Sequence, residues 1–311
     1  MTEVKRPSIE GAPVVMVTGT KYKYNDLRYG LARTTVKRCV KDHELPCVVV
    51  DASPDPRIAK DLGQLGAAVV CVKPEEGGIP KQRQIGARCV LDQGGNKIIT
   101  FEPEKTGMPD FAVRVAEMLG DGDSKVDSSV VVIGRTEASK ESMPPFQRRT
   151  EELAGWVLER TLGLPADALA GPRGYSRQGI QHLLRYPSDR PGMNNWIYMY
   201  DNPLAARANG ERVGAIEVDL IYPESQVEQE TDNPTFDRKR YEQFALQLNY
   251  LLRRPEVKQP ADDLRNMVLG RLALMPERPT DKEVKEFFNT LEAKARGFGY
   301  KGDKDAEYLS L

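Results

Sequence analysis

The sequence predicts an α/β fold, a mainly parallel sheet with helices on both faces, followed by a helical C-terminal extension. Three observations predict it. Short, wholly apolar runs alternate with helix-period segments through the first half, and such runs read as strands buried on both faces of a parallel sheet. Each run closes on polar or turn-forming residues. From residue 236 onward the pattern is helical stripes interrupted by proline, with no strand signal. The expected division is a domain holding the sheet over 12–230 and a helical extension over 231–311.

The elements follow in order. Residues 13–18 (Pro-Val-Val-Met-Val-Thr) form the first strand, closed by Gly19 and Thr20. Asn25 and Asp26 can cap a helix that runs to about His43. Residues 47–50 form a second strand ending at Asp51, and the turn Ser53-Pro54-Asp55-Pro56 opens the next helix. Residues 68–72 are a third strand, 80–91 a helix, 97–101 a fourth strand, 111–119 a helix and 130–133 a fifth strand. A long helix is expected over 147–162. A loop over 170–174 leads into a helix through Leu184, and 187–193 is another loop. Trp196 begins a helix that Asn209 and Gly210 end, and 212–222 is a strand with apolar residues at alternate positions. Residues 223–232 read as an acidic surface loop. Three further helices are expected over 236–252, 262–274 and 281–295, their apolar stripes suited to packing or to a homodimer contact.

Composition excludes several functions. Net charge is −1 from 45 basic and 46 acidic residues, so no global field draws the chain to nucleic acid. No apolar run approaches the ~20 residues that span a bilayer, and the first residues lack the apolar core of a secretory signal. A cytoplasmic location is the expectation. The four cysteines form no C-x-x-C pair, and there are only two histidines, so a metal site must rest on carboxylates. His43, at a helix end, and His182 read as structural.

Ligands of parallel α/β sheets bind beyond the carboxyl ends of the strands. The first strand offers Thr18, Gly19 and Thr20 there; the second offers Asp51, which can accept from a ribose hydroxyl or a base N–H. The fourth ends in Glu102-Pro-Glu104, a carboxylate pair suited to holding Mg²⁺ or Mn²⁺ between nucleotide phosphates, or simply solvated loop residues. Gly77 and Gly78 precede a helix whose Lys81, Arg83 and Arg88 can face a diphosphate.

In order and spacing these segments resemble the GT-A glycosyltransferases of the family-2 type, over roughly residues 12–230. Residues 48–55 resemble the strand whose terminal Asp binds the nucleotide base. Residues 78–88 resemble the helix beside the donor, and 98–104 sit where the family carries its D-x-D metal motif. Residues 196–218 resemble the acceptor-side helix and the strand after it. The resemblance implies a Rossmann-like GT-A sheet and a nucleoside diphosphate sugar donor. It implies that 12–230 is the nucleotide-sugar-binding and catalytic domain, with a nucleoside held by Asp51 and by Thr18, Gly19 and Thr20, Mg²⁺ or Mn²⁺ on Glu102 and Glu104, and Lys81 and Arg88 on the diphosphate.

Two departures stand out. Glu102 and Glu104 replace the aspartates. Where inverting members carry an acidic pair that includes the general base, this chain has Asn194 and Asn195, and an amide takes no proton at neutral pH. Retaining chemistry, a base elsewhere (Asp201 or Asp189), and an anionic acceptor remain open. Arg173 or Arg135 would bind an acidic acceptor bidentately, and Trp196 would help to shape the pocket. A nucleotidyltransferase and an inactive sugar-nucleotide-binding relative are the alternatives; against the first, the initial strand is followed by only one glycine.

Overall fold

The computed structural model describes residues 8–120, 127–164, 167, 169–190, 193, 195–253, 262–276 and 279–300. Asn194 and the tail 301–311 lie outside them. The strands are β1 (Val15–Thr20), β2 (Cys47–Asp51), β3 (Ala68–Cys71), β4 (Ile98–Thr100), β5 (Val130–Arg135), β6 (Arg173–Tyr175) and β7 (Val213–Val218). The helices are α1 (Leu27–Lys37), α2 (Pro56–Gln64), α3 (Ile79–Asp92), α4 (Ala112–Met118), α5 (Glu137–Glu141), α6 (Pro145–Leu162), α7 (Arg177–Arg185), α8 (Tyr198–Ala208), α9 (Glu224–Glu230), α10 (Pro234–Leu251), α11 (Asp262–Ala273) and α12 (Asp281–Gly297). The α/β class expected from the sequence is the class observed.

The strands form one seven-stranded sheet in the order β3-β2-β1-β4-β6-β5-β7. All neighbours pair in parallel except at β6, which runs antiparallel between β4 and β5. The sequence reading places residues 170–174 in a loop. The structure makes Arg173–Tyr175 a strand because the sheet needs something to fill the gap between β4 and β5. Three residues, two of them Arg and Gly, carry no alternating signal of their own. Residues 224–230, read as a loop, are the helix α9.

Contacts divide the chain into two compact units, residues 1–136 with 170–220 and residues 137–169 with 221–311. The whole sheet lies in the first unit. Residues 137–169, placed by the sequence reading inside 12–230, group by contact with the C-terminal helices. In the second unit the apolar stripes of α10 and α12 face each other: Tyr241 and Phe244 pack edge-on against Phe287 and Phe288. Those are the stripes offered to packing or to a second copy. Among the described residues no helix is long and apolar enough to cross a membrane.

The core of the first unit fixes the height of the strand ends. Val15, Met16 and Val17 of β1 and Val48, Val49 and Val50 of β2 are buried on both faces. The helix α3 lies directly on them. Pro80 occupies its first turn, where a missing N–H costs nothing. Gly86 sits so close to the sheet that a Cβ there would lie 2.4 Å from Val17 Cγ1 and 3.4 Å from Val50 Cγ2. Gly86→Ala is therefore expected to force α3 off β1 and to cost about 1–3 kcal/mol of unfolding free energy, as overpacking does. Urea denaturation measures it, and a variant as stable as wild type would show that the contact relaxes freely.

Candidate functional site

The parallel strands β1, β2, β3, β4, β5 and β7 all end at one edge of the sheet. The strand order turns at β1: β2 lies on one side and β4 on the other, and such a turning point opens a crevice for a ligand. A main-chain carbonyl has two lone pairs, so one at this edge can take a second donor besides its ladder partner, as Thr20 O takes Ala52 N and Val17 O takes Phe101 N. Two buried side chains of α3 supply such second donors. Gln82 Nε2 donates to Thr20 O at 2.9 Å and to Val50 O at 2.8 Å, tying the ends of β1 and β2 together. Arg83 Nη1 donates to Val17 O at 3.2 Å and Nη2 to Phe101 O, tying β1 to the residue after β4. Both side chains are almost fully buried.

Helix phase explains why these two, and not the more conspicuous cations, reach the crevice. Residues 82, 83, 86, 87 and 90 form the face of α3 against the sheet. Lys81 and Arg88 belong to the other face and line an outer groove of about 590 Å³ with Gln84, Ile85, Leu184 and Asp189. Lys81, near the start of the helix, pairs with Asp189 at 3.2 Å. Arg88 is exposed, nearly two turns further along, and does not join the strand-end residues.

Thr18, Gly19 and Thr20 lie within β1, not in a loop beyond it. The Thr18 hydroxyl donates to Phe101 O at 2.9 Å. The Thr20 hydroxyl donates to Asp51 Oδ1 at 2.7 Å, and the same oxygen accepts Ser53 N at 3.1 Å. Both bonds to Asp51 fall on Oδ1 and leave Oδ2 for a further donor. Gly19 gives the Gln82 side chain room: a Cβ there would come within 2.8 Å of its Cδ.

Glu102 and Glu104 follow β4 on a loop that α1 holds from below. Thr35 Oγ1 donates to Pro103 O at 2.6 Å, and Arg38 donates to Thr106 O and to both oxygens of Asp110. Glu104 Oε1 accepts the Tyr22 hydroxyl at 2.8 Å. Burial first, then the Glu104 charge and this bond, push the Tyr22 hydroxyl well above the usual tyrosine range. Glu102 Oε2 is sealed from solvent and has no hydrogen-bond partner. Its carboxylate lies against the backbone of Gly171, where a Cβ would come within 1.4 Å of Oε1. Burial pushes the Tyr198 hydroxyl above the usual tyrosine range, with the Arg83 charge pulling it down and Glu102 pushing it up.

The acceptor-side candidates fare differently. Arg173 is completely buried and donates to Met199 O at 3.2 Å, to Pro172 O at 2.7 Å and to Ala170 O. It fastens the Gly171 loop to α8 and has no face turned to solvent. Asn195 Oδ1 accepts Ile197 N at 2.8 Å. Asp201, half-buried, lies in the first turn of α8. Arg135 is buried at the end of β5. His182 forms a buried contact with Glu211 at 2.9 Å, consistent with a structural role.

A divalent cation fits Glu102 and Glu104 on chemical grounds. Among the described residues no cluster of three or more His, Cys, Asp or Glu would hold a metal alone. Mg²⁺ and Mn²⁺ on nucleotides, however, take one or two carboxylates and fill the rest of their shell with phosphate and water. An oxygen shut off from both water and donors is costly, and a cation relieves that cost. The signals missed by the sequence reading are Gln82, Tyr22 and the closeness of Gly171 to Glu102. A helical wheel anchored on Gly86 and Ala87 would have found Gln82; nothing local would have found the other two.

No protein-family model matches the chain, and no curated protein sequence matches it. Solved structures do. A mannosyltransferase from Pyrobaculum calidifontis, in complex with GDP-Man and Mn²⁺, is similar over 96% of this chain and 79% of its own, at 12% identity and a TM-score of 0.48. Glucosyl-3-phosphoglycerate synthase from Mycobacterium tuberculosis, with phosphoglyceric acid, is similar over 76% of this chain and 79% of its own, at 13% identity and a TM-score of 0.46. A CMP:2-keto-3-deoxy-manno-octonic acid synthetase with CTP is similar over 70% and 95%, at 13% identity and a TM-score of 0.45. These values transfer neither substrate nor mechanism to this chain.

Gly171→Ala is expected to push the Glu102 carboxylate aside while leaving the fold nearly as stable, because the displaced group is the end of a flexible side chain. Mn²⁺ affinity in the presence of a nucleoside diphosphate should fall at least tenfold with little change in melting temperature. Unchanged affinity would remove Glu102 from the site.

Proposed function

We propose that the chain is a glycosyltransferase that moves a sugar from a nucleoside diphosphate sugar to an acceptor with the help of Mg²⁺ or Mn²⁺. The observation that carries this reading is the pair Glu102 and Glu104 beyond β4, one of whose oxygens is buried without a partner, at the same sheet edge as Asp51. The catalytic machinery then belongs to the unit that holds the sheet, and a cytoplasmic setting completes the reading.

The roles follow from the chemistry of the groups. Asp51 Oδ2 accepts from the nucleoside. The ends of β1, stitched by Gln82 and Arg83, form the floor beneath it. Glu104, with Glu102 beside it, would hold the cation, which when bound neutralises charge on the departing diphosphate. Lys81 lines the outer groove, so it serves the diphosphate only by leaving Asp189 and swinging round the start of α3; the surface pair it would give up is worth little. Arg173 acts by fixing the Gly171 loop against Glu102. Asn195 cannot accept a proton. An anionic acceptor, already deprotonated, or transfer with retention needs none from it; otherwise the base is Asp201, on α8, or Asp189.

The test is a thermal-shift panel of UDP-, GDP-, ADP- and dTDP-sugars with and without Mn²⁺ or Mg²⁺. One nucleotide should stabilise the chain only with cation, by about 2.7 kcal/mol at a hundredfold excess over its dissociation constant. Glu104→Ala should lose the cation-dependent part and keep the fold. A wild-type response in that variant would refute the cation site. Incorporation of the nucleotide itself into product would establish a nucleotidyltransferase instead, and binding without any turnover an inactive relative.

A further inference from the structure

We propose that Tyr22 is a positioning residue that orients Glu104 for the cation and ties it to the nucleoside end of the site. The proposal rests on the functional reading above and deepens it.

The bonds that hold the Glu104 loop fix its backbone and leave its side chain to be placed by other contacts. Its loop is pinned through Pro103 O by Thr35 and through Thr106 O by Arg38, and Thr106 N donates to Glu104 O at 3.0 Å. The backbone therefore cannot choose where the carboxylate points. Tyr22 can. Its main-chain N donates to Ser53 Oγ at 3.0 Å, its ring packs against the hydrophobic core, and its hydroxyl meets Glu104 Oε1 at 2.8 Å. A ring fixed at both ends is a rigid arm, unlike a surface tyrosine free to turn. By donating to Oε1 it occupies one oxygen and presents the other, Oε2, in a single direction. Groups that orient metal-binding carboxylates in this way are commonly worth tenfold to a hundredfold in affinity.

The other end of the arm is equally specific. Ser53 N donates to Asp51 Oδ1 at 3.1 Å, while Ser53 Oγ accepts Tyr22 N. A continuous path thus runs from Asp51 through Ser53 and Tyr22 to Glu104, across the ends of β2, β1 and β4. The neighbouring Tyr24 takes no part: its hydroxyl donates to Asp61 at 3.1 Å.

The experiment measures Mn²⁺ binding to the full chain from the electron paramagnetic resonance of the free cation, alone and with GDP or UDP. Wild type, Tyr22→Phe, Tyr24→Phe and Glu104→Gln are compared, with cation-free GDP and UDP affinity and melting temperature recorded for each. Tyr22→Phe should weaken Mn²⁺ about tenfold or more while cation-free nucleotide affinity stays at the wild-type value, and Tyr24→Phe should match wild type. Mn²⁺ affinity equal to wild type in Tyr22→Phe, together with loss in Glu104→Gln, overturns the proposal and leaves the functional reading standing. A matching fall in cation-free nucleotide affinity shows a merely structural role and also overturns it. If wild type and Glu104→Gln behave alike toward Mn²⁺, the functional reading fails, and this proposal with it.

Discussion

The structure depends on two side chains of one helix reaching the main-chain carbonyls at the ends of three strands. Arg83 bridges Val17 O and Phe101 O, and Gln82 bridges Thr20 O and Val50 O. Val17 O and Thr20 O already accept ladder bonds from Phe101 N and Ala52 N, so the side-chain donors fill second lone pairs and cross-link neighbouring strand ends from the helix side. The solution is demanding. A buried guanidinium must be compensated, and taking away one partner leaves the rest stranded. The Tyr198 hydroxyl, raised by burial, feels Arg83 and Glu102 with opposite sign.

Much of this was legible in the sequence, for a physical reason. The apolar runs of β1, β2, β4 and β5 can satisfy their burial in few ways, and a parallel sheet is the simplest. The polar residues that close β2 and β4, Asp51 and Glu102-Pro-Glu104, came with the strand ends. What was not legible depended on three-dimensional closeness. The short strand β6 exists only because β4 and β5 leave it a slot. The hydroxyls of Thr18 and Thr20 looked available and are spent on Phe101 O and Asp51. Lys81 and Arg88 attracted notice as cations, whereas the phase of α3 turns Gln82 and Arg83 inward. Charged residues are rarely buried unless paired, so a reading by residue type puts Arg83 outside.

Arg173 makes the same point. As a lone arginine in a glycine-rich loop it reads as a ligand for an anion. Buried, with its donors on Met199, Pro172 and Ala170 carbonyls, it becomes a strut that brings Gly171 onto Glu102. The absence of a side chain at 171 then carries as much weight for the site as the carboxylate it admits. The crevice is thus shaped by close approaches and shared carbonyls, and among the described residues the groups it offers a ligand are Asp51 Oδ2 and the carboxylates after β4.

The most direct test is a crystal structure with a nucleoside diphosphate and Mn²⁺, the cation located by anomalous scattering. The expected result is a manganese peak bonded to Glu104 or Glu102, with the diphosphate beyond the ends of β1 and β4 and the nucleoside against Asp51. Nucleotide and cation seated in the outer groove between α3 and α7, with the strand-end crevice left to solvent, would contradict it.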